Sequence, residues 1–92
     1  MKKYEIVITT RFKKDYKAAI KRGCKQELLE QVIESLINGK ALPEKNKDHA
    51  LIGAWNGYRE CHIQPDWLLI YKTKESIRVL LLVRTGTHSE LF

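Results

Sequence analysis

No histidine occurs in the first half of this 92-residue chain; His49, His62 and His88 all fall in the second. Cysteine is scarce too. Cys24 and Cys61 stand 37 positions apart, with no short-range partner of the kind that metal sites use, so two buried or free thiols are expected rather than a disulfide framework. The longest uninterrupted apolar run, Val79 to Val83, is too short to span a bilayer, and the basic start Met1-Lys2-Lys3 leads into a polar segment where a signal peptide would be apolar. No membrane partner and a cytoplasmic location are therefore expected. No repeat, linker or low-complexity segment divides the chain, whose length suits one domain over 1–92 with a single modest core.

Acidic residues are nearly missing from the front. Residues 1–25 hold nine Lys/Arg against two acids, whereas residues 26–92 hold eight against nine, so the net charge of +6 resides entirely in the first quarter. Such a concentration fits a polyanionic partner, because each neutralised phosphate releases condensed counterions. A solvated lysine-rich helix face would give the same composition.

Tyr4 to Ile8 reads as a strand, being β-branched and apolar. Phe12, Tyr16, Ala19 and Ile20 then recur at helical spacing, with Thr10 as N-cap, Gly23 as stop, and Arg11, Lys13, Lys14, Lys17 and Lys21 on the solvent side. A second helix, about Lys25 to Asn38, carries Leu28, Leu29, Val32, Ile33, Leu36 and Ile37 as an apolar stripe ended by Gly39, so a helical hairpin is predicted. Three strands follow, Tyr58–Ile63, Trp67–Lys72 and Ile77–Val83, joined by turns at Gln64-Pro65-Asp66 and Thr73–Ser76. The expected fold is α+β: an antiparallel sheet with both helices on one face, in the order β-α-α-β-β-β.

Alternation places Tyr58, Glu60 and His62 on one face and Arg59, Cys61 and Ile63 on the other. In the last strand it groups Arg78 and Arg84 with Leu80 and Leu82. If the helices cover one side of the sheet, His62, Glu60 and Arg84 can line a cleft on the other. Taken singly each residue has a structural explanation: Asp66 can cap a turn, Arg84 can pair with Glu60 or Glu90, and Trp55, Trp67 and Phe92 are large enough to be core.

The grouping has a chemical meaning. Zinc is a poor fit, since the histidines are 13 and 26 positions apart and Pro65 stands between His62 and Asp66, excluding a shared helical face. RNA cleavage asks for less, because RNA carries its own nucleophile in the 2′-hydroxyl. The protein then needs a base for that hydroxyl, a cation beside the phosphorane and an acid for the 5′-oxygen, with no metal or cofactor. Histidines, an aspartate and an arginine supply that list, and an aromatic ring can stack on a base.

Three runs carry a family resemblance: Lys47-Asp48-His49-Ala50-Leu51, the stretch Gly53 to Tyr71, and Arg84-Thr85-Gly86-Thr87-His88-Ser89-Glu90-Leu91-Phe92. They resemble the YafQ branch of the RelE toxins, endoribonucleases of type II toxin-antitoxin systems. The resemblance implies a RelE-like microbial RNase fold that cuts messenger RNA in the ribosomal A site and is inhibited by a cognate antitoxin protein. It implies His49, His62, Asp66 and His88 as catalytic residues, Arg84 as the phosphate contact and Phe92 as the C-terminal aromatic. Under it His88 lies on a mobile C-terminal segment as the acid, Asp66 or His49 is the base, and His62 with Arg84 holds the phosphate. The basic helix with Arg11, Lys13, Lys14, Lys17 and Lys21 would grip ribosomal RNA. Two other readings remain open: a ParE-type gyrase poison of the same fold, which has no need of three histidines, and a noncatalytic RNA-binding module.

Overall fold

Thr9, one residue ahead of the expected cap, starts the first helix. Its hydroxyl accepts from Phe12 N at 2.9 Å and donates to Val83 O at 2.8 Å, so one side chain both caps the helix and ties it to the last strand. Thr10 is the first helical residue. The computed structural model describes residues 2–92. Its elements are β1 (Glu5–Ile8), α1 (Thr10–Lys21), α2 (Gln26–Ile37), β2 (His49–Ala50), β3 (Arg59–Gln64), β4 (Trp67–Lys74), β5 (Val79–Gly86) and α3 (His88–Leu91), with single 3-10 turns at 44–46, 53–55 and 75–77.

The sheet runs β1-β5-β4-β3-β2. Strands β3, β4 and β5 form the expected meander, but the sheet is mixed, because β1 pairs parallel to β5, with Ile6 opposite Leu80 and Ile8 opposite Leu82. The α1–α2 hairpin lies between these two strands in sequence and is the crossover that a parallel pair requires. Two further elements, β2 and α3, were not expected; with two and four residues they are too short to leave a periodic signal.

Both long helices bury their stripes on one face. Phe12 and Ala19 of α1 and Leu29, Val32 and Leu36 of α2 pack on Cys61, Ile63, Leu69, Tyr71, Leu80 and Leu82. The opposite face holds a smaller cluster, in which Leu68 and Ile70 meet Leu91 of α3, flanked by Leu51, Trp55, Tyr58 and Val83. Central strand β4 is therefore covered on both sides. Its run Trp67-Leu68-Leu69-Ile70-Tyr71 is buried throughout, each side chain contributing on the order of 2 kcal/mol of apolar burial. Among the described residues no helix is long and apolar enough to cross a membrane.

A β-bulge separates Arg84 from Leu80 and Leu82, with which alternation had grouped it. Ile70 pairs with Arg84 but Tyr71 pairs with Leu82, leaving Val83 as an extra residue. Leu80 and Leu82 point to the helices, whereas Val83 packs in the opposite cluster and Arg84 stands in register with Ile70. Arg78 is outside the strand, in a left-handed conformation with φ of 52°.

Candidate active site

Two cross-strand rows assemble the site on the face away from the long helices. In one, His49 is opposite Glu60, Glu60 opposite Ile70, and Ile70 opposite Arg84; in the other, His62 is opposite Leu68 and Leu68 opposite Gly86. Adjacent strands lie about 4.8 Å apart, so β2 brings His49 beside β3 with His62, while β5, which leads to His88, lies one strand further on, beyond the buried Leu68 and Ile70 of β4.

Each imidazole on the first strands is held by a backbone carbonyl. His49 Nδ1 lies 2.7 Å from Lys47 O, and His62 Nδ1 lies 3.3 Å from Pro65 O. A carbonyl only accepts, so Nδ1 carries the hydrogen in both rings and Nε2 is the nitrogen left for chemistry. Both Nε2 atoms face Glu60: Oε1 is 3.6 Å from His49 and 3.9 Å from His62. The segment before His49 is fixed from the helix side, where Asp48 Oδ1 accepts from Tyr71 Oη at 2.6 Å and from Arg59 Nε at 3.3 Å. Burial, and then this bond to Asp48, push the Tyr71 hydroxyl well above its ordinary value, so it stays a donor.

Asp66 occupies the exposed two-residue turn after Pro65, whose carbonyl orients His62. His88 is the first residue of α3. Thr87 Oγ1 accepts from Glu90 N at 3.3 Å while Glu90 Oε1 accepts from Thr87 N at 2.8 Å, a reciprocal capping box that orders the segment. The Thr87 backbone N–H, foremost, holds the Glu90 carboxyl below its ordinary 4.5. Phe92 is half exposed, with its ring centroid 5.1 Å from that of His88 and 6.4 Å from that of Trp55.

Arg84 pairs with neither Glu60 nor Glu90. Its Nε and Nη2 reach Asp15 Oδ2 and Oδ1 of α1 at 3.0 and 3.1 Å, and Thr85 N also donates to Asp15 at 3.2 Å. Past Ile8 the edge of β5 has no strand partner, and α1 lies along it, which places Asp15 there. The hydrogen bonds it donates to Asp15 raise the guanidinium above its already high value, leaving Arg84 a permanent cation. Its Nη1 is outside the pair.

At its C-terminal end the basic helix meets α3, where Arg22 Nη1 donates to Glu90 Oε2 at 3.3 Å. Lys13, Lys14, Lys17 and Lys21 are exposed on α1, which lies across the sheet from the imidazoles of His49 and His62, and Arg11 Nε is 3.9 Å from Asp15 Oδ1. A cleft of about 400 Å³ beside His62 is bounded by Lys45, Asn46, Lys47, Gln64 and Pro65. A second cleft of about 400 Å³, walled by Ile6, Ile8, Phe12, Tyr16, Leu29 and Ile33, is apolar and holds none of the histidines.

Asp15 is a residue that reading the sequence did not select, whereas Glu60 was placed in the cleft without a chemical role. Glu60 had a signal, since alternation put it on the face of His62. Asp15 had a weaker one, as one of only two acids among the first 25 residues.

Residues 4–92 match the model of a family described as the bacterial toxin of a type II toxin-antitoxin system, YafQ. The chain belongs to the YafQ family. It is 43% identical over 89 residues to the mRNA interferase toxin YafQ of Escherichia coli strain K12, covering 96% of this chain and 95% of that one. The crystal structure of YafQ from E. coli strain BL21(DE3) superposes with a TM-score of 0.90 at 41% identity, over 97% of this chain and 98% of that one. YafQ in the E. coli DinJ-YafQ toxin-antitoxin complex gives 0.88 at 42% identity, over 98% of each chain. The β-α-α core, the mixed sheet and the short C-terminal helix described above are thus a YafQ-family fold.

Proposed function

We propose that this YafQ-family toxin is an endoribonuclease that cuts messenger RNA in the ribosomal A site and is held inactive by a cognate antitoxin protein, with the cytoplasm as its place of action. The observation that supports the reading is that His49 and His62 present Nε2 away from a backbone acceptor, while α3, which begins at His88, packs through Leu91 on the Leu68 and Ile70 face of the sheet. Likeness to an E. coli mRNA interferase supports it, as does the existence of a DinJ-YafQ complex. A gyrase poison or a passive RNA-binding module would have no use for this arrangement.

In the proposed reaction the 2′-hydroxyl oxygen attacks phosphorus and its proton passes to Asp66 or to His49 Nε2. The new bond is O2′–P and the bond broken is P–O5′. His88 gives its proton to the departing 5′-oxygen, while His62 and Arg84 hold the phosphate; Arg84 offers Nη1, since Asp15 occupies its other two nitrogens. Phe92 stacks on a base, which is worth about 1–3 kcal/mol. No step requires a metal or cofactor. The lysines of α1 bind ribosomal RNA from the opposite layer.

The mechanism is tested by product chemistry. Cleaved message should end in a 2′,3′-cyclic phosphate or the 3′-phosphate derived from it, with EDTA present, and a single 2′-deoxy nucleotide at the cut position should abolish cleavage there. Continued cutting at the 2′-deoxy position would defeat the proposal.

A further inference from the structure

Helix α1 holds the end of the chain at three successive places. Thr9, at its start, donates through Oγ1 to Val83 O at 2.8 Å; Asp15, in its middle, accepts from Arg84 and from Thr85 N; Arg22, at its end, donates through Nη1 to Glu90 Oε2 at 3.3 Å. The contacts fall in the same order along both segments. From Thr9 to Arg22 the helix rises about 20 Å at roughly 1.5 Å per residue, and it runs beside the part of β5 that β1 leaves open, with α3 beyond. Asp15 and Arg22 are two helical turns apart and so project from one side of α1, between its buried Phe12 and Ala19 and its exposed lysines.

The last of these contacts meets a side chain that is already in use. Glu90 engages both carboxylate oxygens, Oε1 accepting from Thr87 N at 2.8 Å and Oε2 from Arg22. One carboxylate thus closes the capping box and ties it to another helix. With four residues α3 is a single turn, too short to persist unaided, and Leu91 is its one buried residue. The pair with Arg22 is open to water, its side chains 39% and 46% exposed, so it adds little to global stability. Its effect is local, on the turn that begins at His88.

We propose that Arg22 is a positioning residue of the cleavage reaction, which anchors the Glu90 carboxylate to the end of α1 and so fixes the turn that carries His88. The inference rests on the RNA-cleavage reading. Arg22 does not touch the RNA; it acts through Glu90. Helix α1 is thereby the mount of the His88 segment as well as a basic surface. Without the anchor, Leu91 still docks on the sheet, but the box is held from one side only and His88 spreads over more positions. That spread slows delivery of the proton to the 5′-oxygen and leaves binding of the message unchanged.

The test is a double-mutant cycle on Arg22→Gln and Glu90→Gln, with Arg22→Lys beside it. Each protein is followed by thermal unfolding, by hydrogen exchange at the Leu91 and Phe92 amides, which donate to Thr87 O and His88 O, and by single-turnover cleavage of ribosome-bound message at a series of toxin concentrations. Arg22→Gln should melt within about 3 °C of wild type and exchange faster at both amides. Its maximal rate should fall about 10-fold, with the half-saturating concentration within about twofold of wild type. Arg22→Lys, which keeps a cation and needs to make only one contact, should recover most of the rate. Added to Glu90→Gln, Arg22→Gln should change the rate less than about twofold, since the partner it acts through is already altered. Wild-type exchange or wild-type cleavage in Arg22→Gln overturns the proposal, as does an unfolded Arg22→Gln protein or an Arg22→Lys protein no faster than Arg22→Gln. A higher half-saturating concentration at an unchanged maximal rate, or a full 10-fold loss in the Glu90→Gln background, would instead make Arg22 an RNA contact. Failure of the cleavage reading shows separately, as a wild type that cuts no message, and the exchange comparison then still decides whether Arg22 holds α3.

Discussion

Arg84 of β5 and Asp15 of α1 form a two-pronged ion pair, Nε to Oδ2 at 3.0 Å and Nη2 to Oδ1 at 3.1 Å, between side chains only 16% and 13% exposed. One acid on an otherwise basic helix therefore anchors the arginine expected to meet the scissile phosphate. It also satisfies Thr85 N at the open edge of β5. Replacing Asp15 by Ala leaves a half-buried cation and a backbone donor without their acceptor. The expected loss is about 2–4 kcal/mol of unfolding free energy, read from urea titration, together with slower cleavage as Arg84 becomes free to turn. Unchanged stability would show that the pair is not holding α1 to the sheet.

The capping box on Thr87 and Glu90 determines where His88 stands. Thr87→Ala should cost about 1 kcal/mol and reduce cleavage beyond what the stability change explains, because the lost order is at the acid itself. An added Cβ at Gly86 would come within 2.9 Å of Glu90 Oε1, so Gly86→Ala should displace the carboxylate that accepts from Thr87 N and loosen the box. NMR hydrogen exchange at Glu90 N, which faces Thr87 Oγ1, reports either change directly.

Acid should loosen α3. The folded-state value of Glu90 lies below its ordinary 4.5, so the stability it contributes is complete above 4.5 and is lost as the pH falls through the lower folded value. Fraying of α3, followed by the ring resonances of Phe92, is expected in that window and should be absent in Glu90→Gln, whose cap no longer titrates.

Burial pushes the Cys61 thiol up to about 12, and the residue has no exposed surface. At pH 8 it should be a thiol shielded from reagent. Mass spectrometry after brief alkylation of the native protein should find Cys61 unmodified, with modification appearing only in denaturant. Labelling of Cys61 in the folded state would mean that the sheet opens far more readily than its packing implies.

Reversing Lys14, Lys17 and Lys21 to Glu leaves the buried face of α1, Phe12 and Ala19, untouched. The fold should persist while ribosome binding weakens and loses part of its steep salt dependence. Binding of equal strength and equal salt slope would remove the α1 lysines from the ribosomal interface.

Much of this fold is legible in the sequence, and the exceptions have physical causes. Helices α1 and α2 announce themselves through Phe12, Tyr16 and Ala19 and through Leu29, Val32 and Leu36, because a long amphipathic stripe repeats its period several times. The meander is as clear, down to the alternation that puts Glu60 and His62 together. The parallel pairing of β1 is not written locally, since a strand of four residues does not name its partner. Nor is the bulge at Val83, which depends on how β4 and β5 register; it moved Arg84 across the sheet from Leu80 and Leu82. The site shows the same division. Residue types with their own chemistry, the histidines and Asp66, could be chosen from the sequence, while Asp15 gains its role only from a neighbour 69 positions away.

Primer-extension mapping of messenger RNA on purified translating ribosomes, with wild type, His88→Ala and a naked-RNA control, tests the central claim most directly. The account predicts cuts at A-site codons from wild type, none on naked RNA, and a loss of those cuts with His88→Ala despite an unchanged fold. Uncut message from correctly folded wild type, or cuts of undiminished strength from His88→Ala, would contradict it.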